Sequence, residues 1–85
     1  MEHIKKAMFF YKSDCPNCPK GKEIFQAFCE RHPEINVIQY SIESVGGLTE
    51  AAYRGILSVP TVVLAYDDKE VIYDWDSISS ELITL

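Results

Sequence analysis

At 85 residues the chain has room for one domain, residues 1–85, and a domain of this size buries only about 60–65% of its unfolded surface. A content of 47% hydrophobic and 12% aromatic residues describes a packed core and excludes a solvated disordered tail. A net charge of −5, with no run of Lys and Arg able to follow a phosphate backbone, excludes nucleic-acid partners and leaves solubility as the main consequence of the charge.

The N-terminus, Met1-Glu2-His3-Ile4-Lys5-Lys6, is polar, and the apolar run from Ala7 to Tyr11 is too short for a signal-peptide core. No segment approaches the roughly 20 apolar residues that span a bilayer, so no membrane partner is expected. The sequence therefore predicts a cytoplasmic, monomeric protein. In that compartment thiols stay reduced, and an odd count of three cysteines fits catalysis or metal binding better than structural disulfides.

The stretch Lys5 to Tyr11 suits a strand buried on both faces, central in a sheet. From about Cys15 to Arg31 the period changes. Ile24, Phe25, Phe28 and Cys29 recur at helical spacing with Lys22, Glu23, Gln26 and Glu30 opposite, and His32-Pro33-Glu34 ends this amphipathic helix. Ile35 to Ile42 alternates as a strand, with Ile35, Val37 and Gln39 on one side and Ile38, Tyr40 and Ile42 on the other. Strand, helix and strand form a right-handed parallel crossover. Gly46-Gly47 is expected to break the chain, with Thr49 capping a short helix that runs through about Arg54 and stops at Gly55. After a loop at Ser58-Val59-Pro60, Thr61 to Tyr66 reads as a second central strand. Asp67-Asp68-Lys69 reads as a hairpin turn and Glu70 to Trp75 as the returning strand. A last helix, capped by Asp76 or Ser77, carries Ile78, Leu82 and Leu85 on one stripe. The order implies an α/β fold, a four-stranded mixed sheet flanked by three helices on its two faces.

Cys15-Pro16-Asn17-Cys18 lies between the first strand and its helix. The spacing alone is also half of a zinc site, so its position decides more: a helix start favours an anion, and thiolate is the reactive form of cysteine. A free thiol with a pKa near 8.5 is only about 3% ionised at neutral pH, and bringing the pKa to about 7 makes it half ionised. That takes about 2 kcal/mol, whereas a helix dipole usually supplies about 0.3–1 kcal/mol. First-turn N–H groups and the charge of Lys12 are the expected supplements, with Asp14 opposing them as a capping or solvated loop residue. Cys15, at the outer end, is expected to attack, and Cys18, one turn inward, to resolve. Pro19 suits the first helical position if the helix begins at Cys18; if it begins at Pro16, Pro19 removes an early bond. Either way the first turn should be irregular.

The strand, Cys15-Pro16-Asn17-Cys18, the helix, and Ser58-Val59-Pro60-Thr61 before a later strand together resemble the thioredoxin–glutaredoxin superfamily over nearly the whole chain. The resemblance implies a thioredoxin-like fold with strand order 2-1-3-4. It also implies a cis peptide before Pro60 facing the cysteine pair, and substrate hydrogen bonds to the Val59 backbone. Lys12, Pro16, Asn17, Val59 and Pro60 would then form the substrate-facing surface. The short length and Lys12-Ser13-Asp14-Cys15 look more like glutaredoxin than full-length thioredoxin. Asn17 stands where glutaredoxins commonly have an aromatic, and Tyr73-Asp74-Trp75-Asp76-Ser77 replaces their Gly-Gly-acidic glutathione motif. The chain is closest in plan to small glutaredoxin-like thioredoxins.

Cys15, Cys18, Cys29 and His32 can be written as a zinc set, but Cys29 would stand about 16 Å of helix rise from Cys18, and zinc needs ligands near 2.0–2.3 Å. Cys29 is read as a small buried residue beside Phe25 and Phe28. His3 and His32 read as surface residues, Lys20 and Lys22 as a solvated helix face that adds positive potential, and Trp75 as packing at a strand end or a docking surface.

The expected function is thiol–disulfide oxidoreduction on protein disulfides, without cofactor or metal, in electron transport and cell redox homeostasis, with a reductase or small thiols as electron donor. A metal or iron–sulfur module on the same cysteines, a glutathione-dependent glutaredoxin and a thioredoxin-like binding module without chemistry are the competing readings.

Overall fold

The computed structural model describes residues 3–85; Met1 and Glu2, the start of the polar N-terminal segment, lie outside them. The elements in chain order are β1 (Lys6–Tyr11), α1 (Cys18–Arg31), β2 (Asn36–Ser41), α2 (Val45–Tyr53), β3 (Thr61–Ala65), β4 (Glu70–Tyr73) and α3 (Trp75–Ser80), followed by a 3-10 turn at Leu82–Thr84. The sheet order is β2-β1-β3-β4. β1 runs parallel to β2, in a register that pairs Lys6 with Asn36 and Tyr11 with Ser41, and antiparallel to β3, with Phe9 opposite Val62. β3 and β4 are antiparallel neighbours. The expected thioredoxin-like fold is present.

The continuous apolar run of β1 has its cause in burial on two faces. Ala7 and Phe9 point into a cluster with Ile24, Phe25 and Phe28 of α1 and Ile78 of α3, while Met8 and Phe10 face Ala51 of α2 and Val63. β3 divides in the same way, with Val62 and Leu64 on the larger cluster. β2 is an edge strand, and α1 packs over β1 and β3 rather than over it. Val37, expected on the same side of the strand as Ile35, is exposed, whereas Ile38, Tyr40 and Ile42 are half-buried on the α2 side. Ile35 and Ile42 flank the strand instead of belonging to it.

The starts of α2 and α3, and with the latter the end of β4, differ from expectation because a side chain caps the backbone earlier in the chain. α2 begins at Val45 because the Ser44 hydroxyl accepts from the Gly47 N–H at 3.0 Å and donates to the Ser41 carbonyl at 2.7 Å. Thr49 is not the cap but an interior residue whose hydroxyl donates to the Val45 carbonyl. Gly46-Gly47 does not break the chain. A Cβ at Gly47 would collide with the Ser41 carbonyl, so that glycine lets the helix start directly on the end of β2. Likewise Asp74, not Asp76 or Ser77, caps α3 by accepting from the Ser77 N–H at 2.9 Å, which ends β4 at Tyr73 and moves Trp75 into the helix. α3 itself stops at Ser80; Ile78 and Leu82 are fully buried, but Leu85 does not share their stripe and lies exposed.

α2 ends in a Schellman turn: the Ile56 N–H donates to the Ala51 carbonyl at 2.9 Å and the Gly55 N–H to Ala52 at 3.1 Å, with Gly55 at φ +70°. Beside it, the Arg54 guanidinium donates to Glu50 at 2.6 Å and to both oxygens of Glu70 at 2.9 and 3.1 Å, tying α2 to β4. Gly55 thus turns the chain out of α2 toward the Ser58-Val59-Pro60 loop. A Cβ is disfavoured at that φ, so Gly55→Ala is expected to cost about 1 kcal/mol, lowering the melting temperature by about 4–8 °C in calorimetry. An unchanged melting temperature would remove the turn's claim to hold this segment.

Candidate active site

β1 ends at Tyr11, and the loop Lys12-Ser13-Asp14 carries the chain to Cys15, which lies before the helix. The Cys18 N–H is directed at the Cys15 carbonyl at 3.4 Å, Asn17 occupies the N-cap position without a side-chain cap bond, and α1 begins at Cys18 with Pro19 directly after. Of the two starts that the sequence left open for α1, the later one occurs. The missing N–H of Pro19 falls where no intrahelical partner exists anyway. The same start corrects the expected N-terminus near Cys15. Cys15 precedes the cap, so the helix end acts more directly on Cys18; of the first three helical residues Pro19 has no N–H and the Cys18 N–H is turned to the Cys15 carbonyl, which leaves that of Lys20.

Cys15 and Cys18 are joined as a disulfide, with Cα atoms 5.3 Å apart, inside the range such bonds require. Both residues are buried to nearly the same degree, 7% and 6% exposed. Exposure therefore does not separate an outer from an inner cysteine; their surroundings do. The Cys15 sulfur lies 3.5 Å from the Val59 carbonyl oxygen, while Cys18 is held in the first turn of α1. The Val59-Pro60 peptide is cis. Pro60 packs against α1 at Gly21, where a Cβ would stand 3.0 Å from the proline ring carbons and 3.5 Å from Phe9. Gly21, a helix-interior glycine that sequence reading passed over, is what allows this approach.

Among the other expected residues, Pro16 and Asn17 are exposed at the turn between the cysteines and Val59 is half-buried. The Lys12 ammonium is 3.7 Å from Asp14, the lysine side chain partly and the aspartate largely in solvent. Asp14 is therefore a solvated loop charge and not a cap. Lys12 also lines a cavity of about 300 Å³ beside the disulfide, between β1, β2 and the start of α1. Cys29, three turns along an unbroken α1, remains a free thiol whose pKa burial pushes up. Trp75 is half-buried against the larger core cluster. Among the described residues no group of three or more His, Cys, Asp or Glu side chains is placed to hold a metal ion, and no helix is long and apolar enough to cross a membrane.

A sequence profile of the thioredoxin domain matches residues 6–73, most of the chain. The chain belongs to the thioredoxin family. Thioredoxin 1 of Thermosipho africanus superposes with a TM-score of 0.75 at 19% identity, covering 93% of this chain and 86% of that one. The thioredoxin of Trypanosoma brucei brucei gives 0.74 at 13% identity over 95% and 71% of the two chains, and the oxidised thioredoxin of Plasmodium falciparum 0.67 at 20% over 92% and 76%. At these identities the likeness is one of fold. No curated protein sequence matches the chain. Within the thioredoxin family assignment, the fold and the cysteine pair at disulfide distance agree with the resemblance read from the sequence.

One contact at the site escaped sequence reading. The Glu43 carboxylate accepts from the Ser13 N–H at 3.0 Å through one oxygen and from the Ser13 hydroxyl at 2.9 Å through the other, clasping the loop that delivers Cys15. The signal was present in the register: Tyr11 pairs with Ser41 in parallel, so residues two beyond each strand, Ser13 and Glu43, emerge side by side. Two charge-assisted bonds at an exposed site are worth about 1 kcal/mol net. Glu43→Ala is expected to lose that much stability and to speed hydrogen exchange at the Ser13 amide, with Glu43→Gln intermediate. An unaltered Ser13 exchange rate in the alanine variant would show that the loop is held by other contacts.

Proposed function

We propose that this thioredoxin-family chain is a cytoplasmic, monomeric thiol–disulfide oxidoreductase that reduces protein disulfides through Cys15 and Cys18, recharged by a reductase or by small thiols. The observation that carries this reading is the Cys15–Cys18 disulfide at the strand-to-helix junction, with the Cys15 sulfur against the Val59 carbonyl. In the reduced chain the Cys15 thiolate attacks one sulfur of a substrate disulfide. A mixed disulfide forms on Cys15 and the other substrate sulfur leaves as thiolate. Cys18 then loses its proton and attacks the Cys15 sulfur, releasing the second substrate thiolate and regenerating the intramolecular bond.

Four features support the division of labour. Cys15 precedes the helix on a loop, where its sulfur can meet an incoming chain, and it adjoins Val59, whose backbone is the natural partner for an extended substrate segment. Cys18 is fixed in α1 and so is poised to complete the exchange intramolecularly. Pro16 and Asn17 present the exposed rim between them.

Cys15→Ser is expected to abolish insulin-disulfide reduction, and Cys18→Ser to accumulate mixed disulfides with substrate that are visible by mass spectrometry. Reductase activity retained in Cys15→Ser would overturn the assignment of attack to that residue.

A further inference from the structure

The two halves of the site meet at Gly21, a buried residue in the first turn and a half of α1. Its N–H donates to the Asn17 carbonyl at 2.9 Å, the first intrahelical bond, and Asn17 lies between the two cysteines. On its other side stands Pro60: a Cβ at position 21 would be 3.0 Å from both the Cβ and the Cγ of the proline ring and 3.5 Å from Cε1 of Phe9. Gly21 is thus fixed to the cysteine turn through the backbone and to the Val59 loop through van der Waals contact. Glycine is a poorer choice than alanine inside a helix, so the clearance it gives Pro60 is obtained at some expense of local propensity.

A methyl group added at this position has one direction in which to be accommodated. α1 is held by Ile24, Phe25 and Phe28 in the larger core, and Phe9 is itself buried there, so neither can recede. Pro60 belongs to the segment between α2 and β3, in which Leu57 and Ser58 are exposed and Val59 is half-buried. The end of that segment moves as a unit. The Thr61 hydroxyl, on a buried residue, donates to the Ser58 carbonyl at 2.7 Å and closes Ser58-Val59-Pro60-Thr61 into a turn. A push on the proline ring is therefore passed to Val59, whose carbonyl oxygen lies 3.5 Å from the Cys15 sulfur.

We infer that Gly21 is a positioning residue for polypeptide substrates: the clearance over its Cα sets where the Val59 backbone stands beside Cys15, and with it how well an extended segment of a disulfide-bearing chain is held. The inference rests on the redox role proposed above. It separates two classes of disulfide. A polypeptide engages the Val59 backbone as well as the cysteines, whereas a small disulfide needs only the Cys15 sulfur.

The test compares the full chain with Gly21→Ala and with Thr61→Val, the second of which cuts the link from Pro60 to Val59 without touching α1. Each protein is reduced with dithiothreitol, freed of it, and mixed anaerobically with excess insulin or 2-hydroxyethyl disulfide. For Gly21→Ala the insulin concentration giving half-maximal rate should rise roughly threefold to tenfold, as expected for weakening one backbone hydrogen bond, with the maximal rate and the rate on 2-hydroxyethyl disulfide within about twofold of the original. Thr61→Val should show the same split, and it alone decides the matter if Gly21→Ala does not fold. Rates that fall in equal proportion on both disulfides, the signature of a purely structural role, would overturn the inference and leave the proposed function standing. So would an unchanged dependence on insulin concentration in either folded variant. An original chain that reduces neither disulfide would sink both.

Discussion

The site depends on strand direction. β1 runs parallel to β2 and antiparallel to β3, so the end of β1, the end of β2 and the start of β3 all lie at one edge of the sheet. The loop after β1 carries Cys15, the loop after β2 carries Glu43, and the loop before β3 carries Val59 and Pro60. β4, antiparallel to β3, ends at the same edge and delivers Trp75 there. Residues separated by 44 positions, Cys15 and Val59, thereby come within 3.5 Å. Because β1 is apolar on both faces, a slip of one residue would exchange its two cores, Phe9 for Phe10, and would carry the cysteine loop with it. The burial that stabilises the sheet also fixes where the chemistry occurs.

Much of this was legible in residue patterns. The unbroken apolar run Ala7–Phe10 meant burial on two sides, and the helical period from Ile24 to Cys29 meant one face of α1 against a core; both are observed. The misplaced elements share a physical cause. Start signals for α2 and α3 are single capping hydrogen bonds from Ser44 and Asp74, and several nearby Ser, Thr and Asp residues were equally eligible. Gly46-Gly47 was read as a break in the chain, but what Gly47 provides is clearance from the Ser41 carbonyl, a three-dimensional fact that no local pattern encodes. Gly21 is the same case at the site. The approach of Val59 to Cys15 was available only through family resemblance, since nothing in the spacing of the two segments fixes it. Glu43 was the reverse: register made it derivable, although no motif marked it.

The electrostatics of the pair are more balanced than the sequence suggested. With α1 starting at Cys18, the positive end of the helix lies inward of Cys15, and Pro19 withholds one N–H from the first turn. The Val59 carbonyl adds a dipole whose negative end faces the Cys15 sulfur.

The continuity of α1 has a consequence for the chain's redox states. Three cysteines admit three pairings, but fourteen helical residues hold Cys29 about 16 Å along the axis from Cys18, far beyond the reach of a sulfur–sulfur bond. Scrambling is closed off by geometry. Within one folded molecule, however many times electrons enter and leave, oxidation has a single destination, and no isomerase is needed to find it.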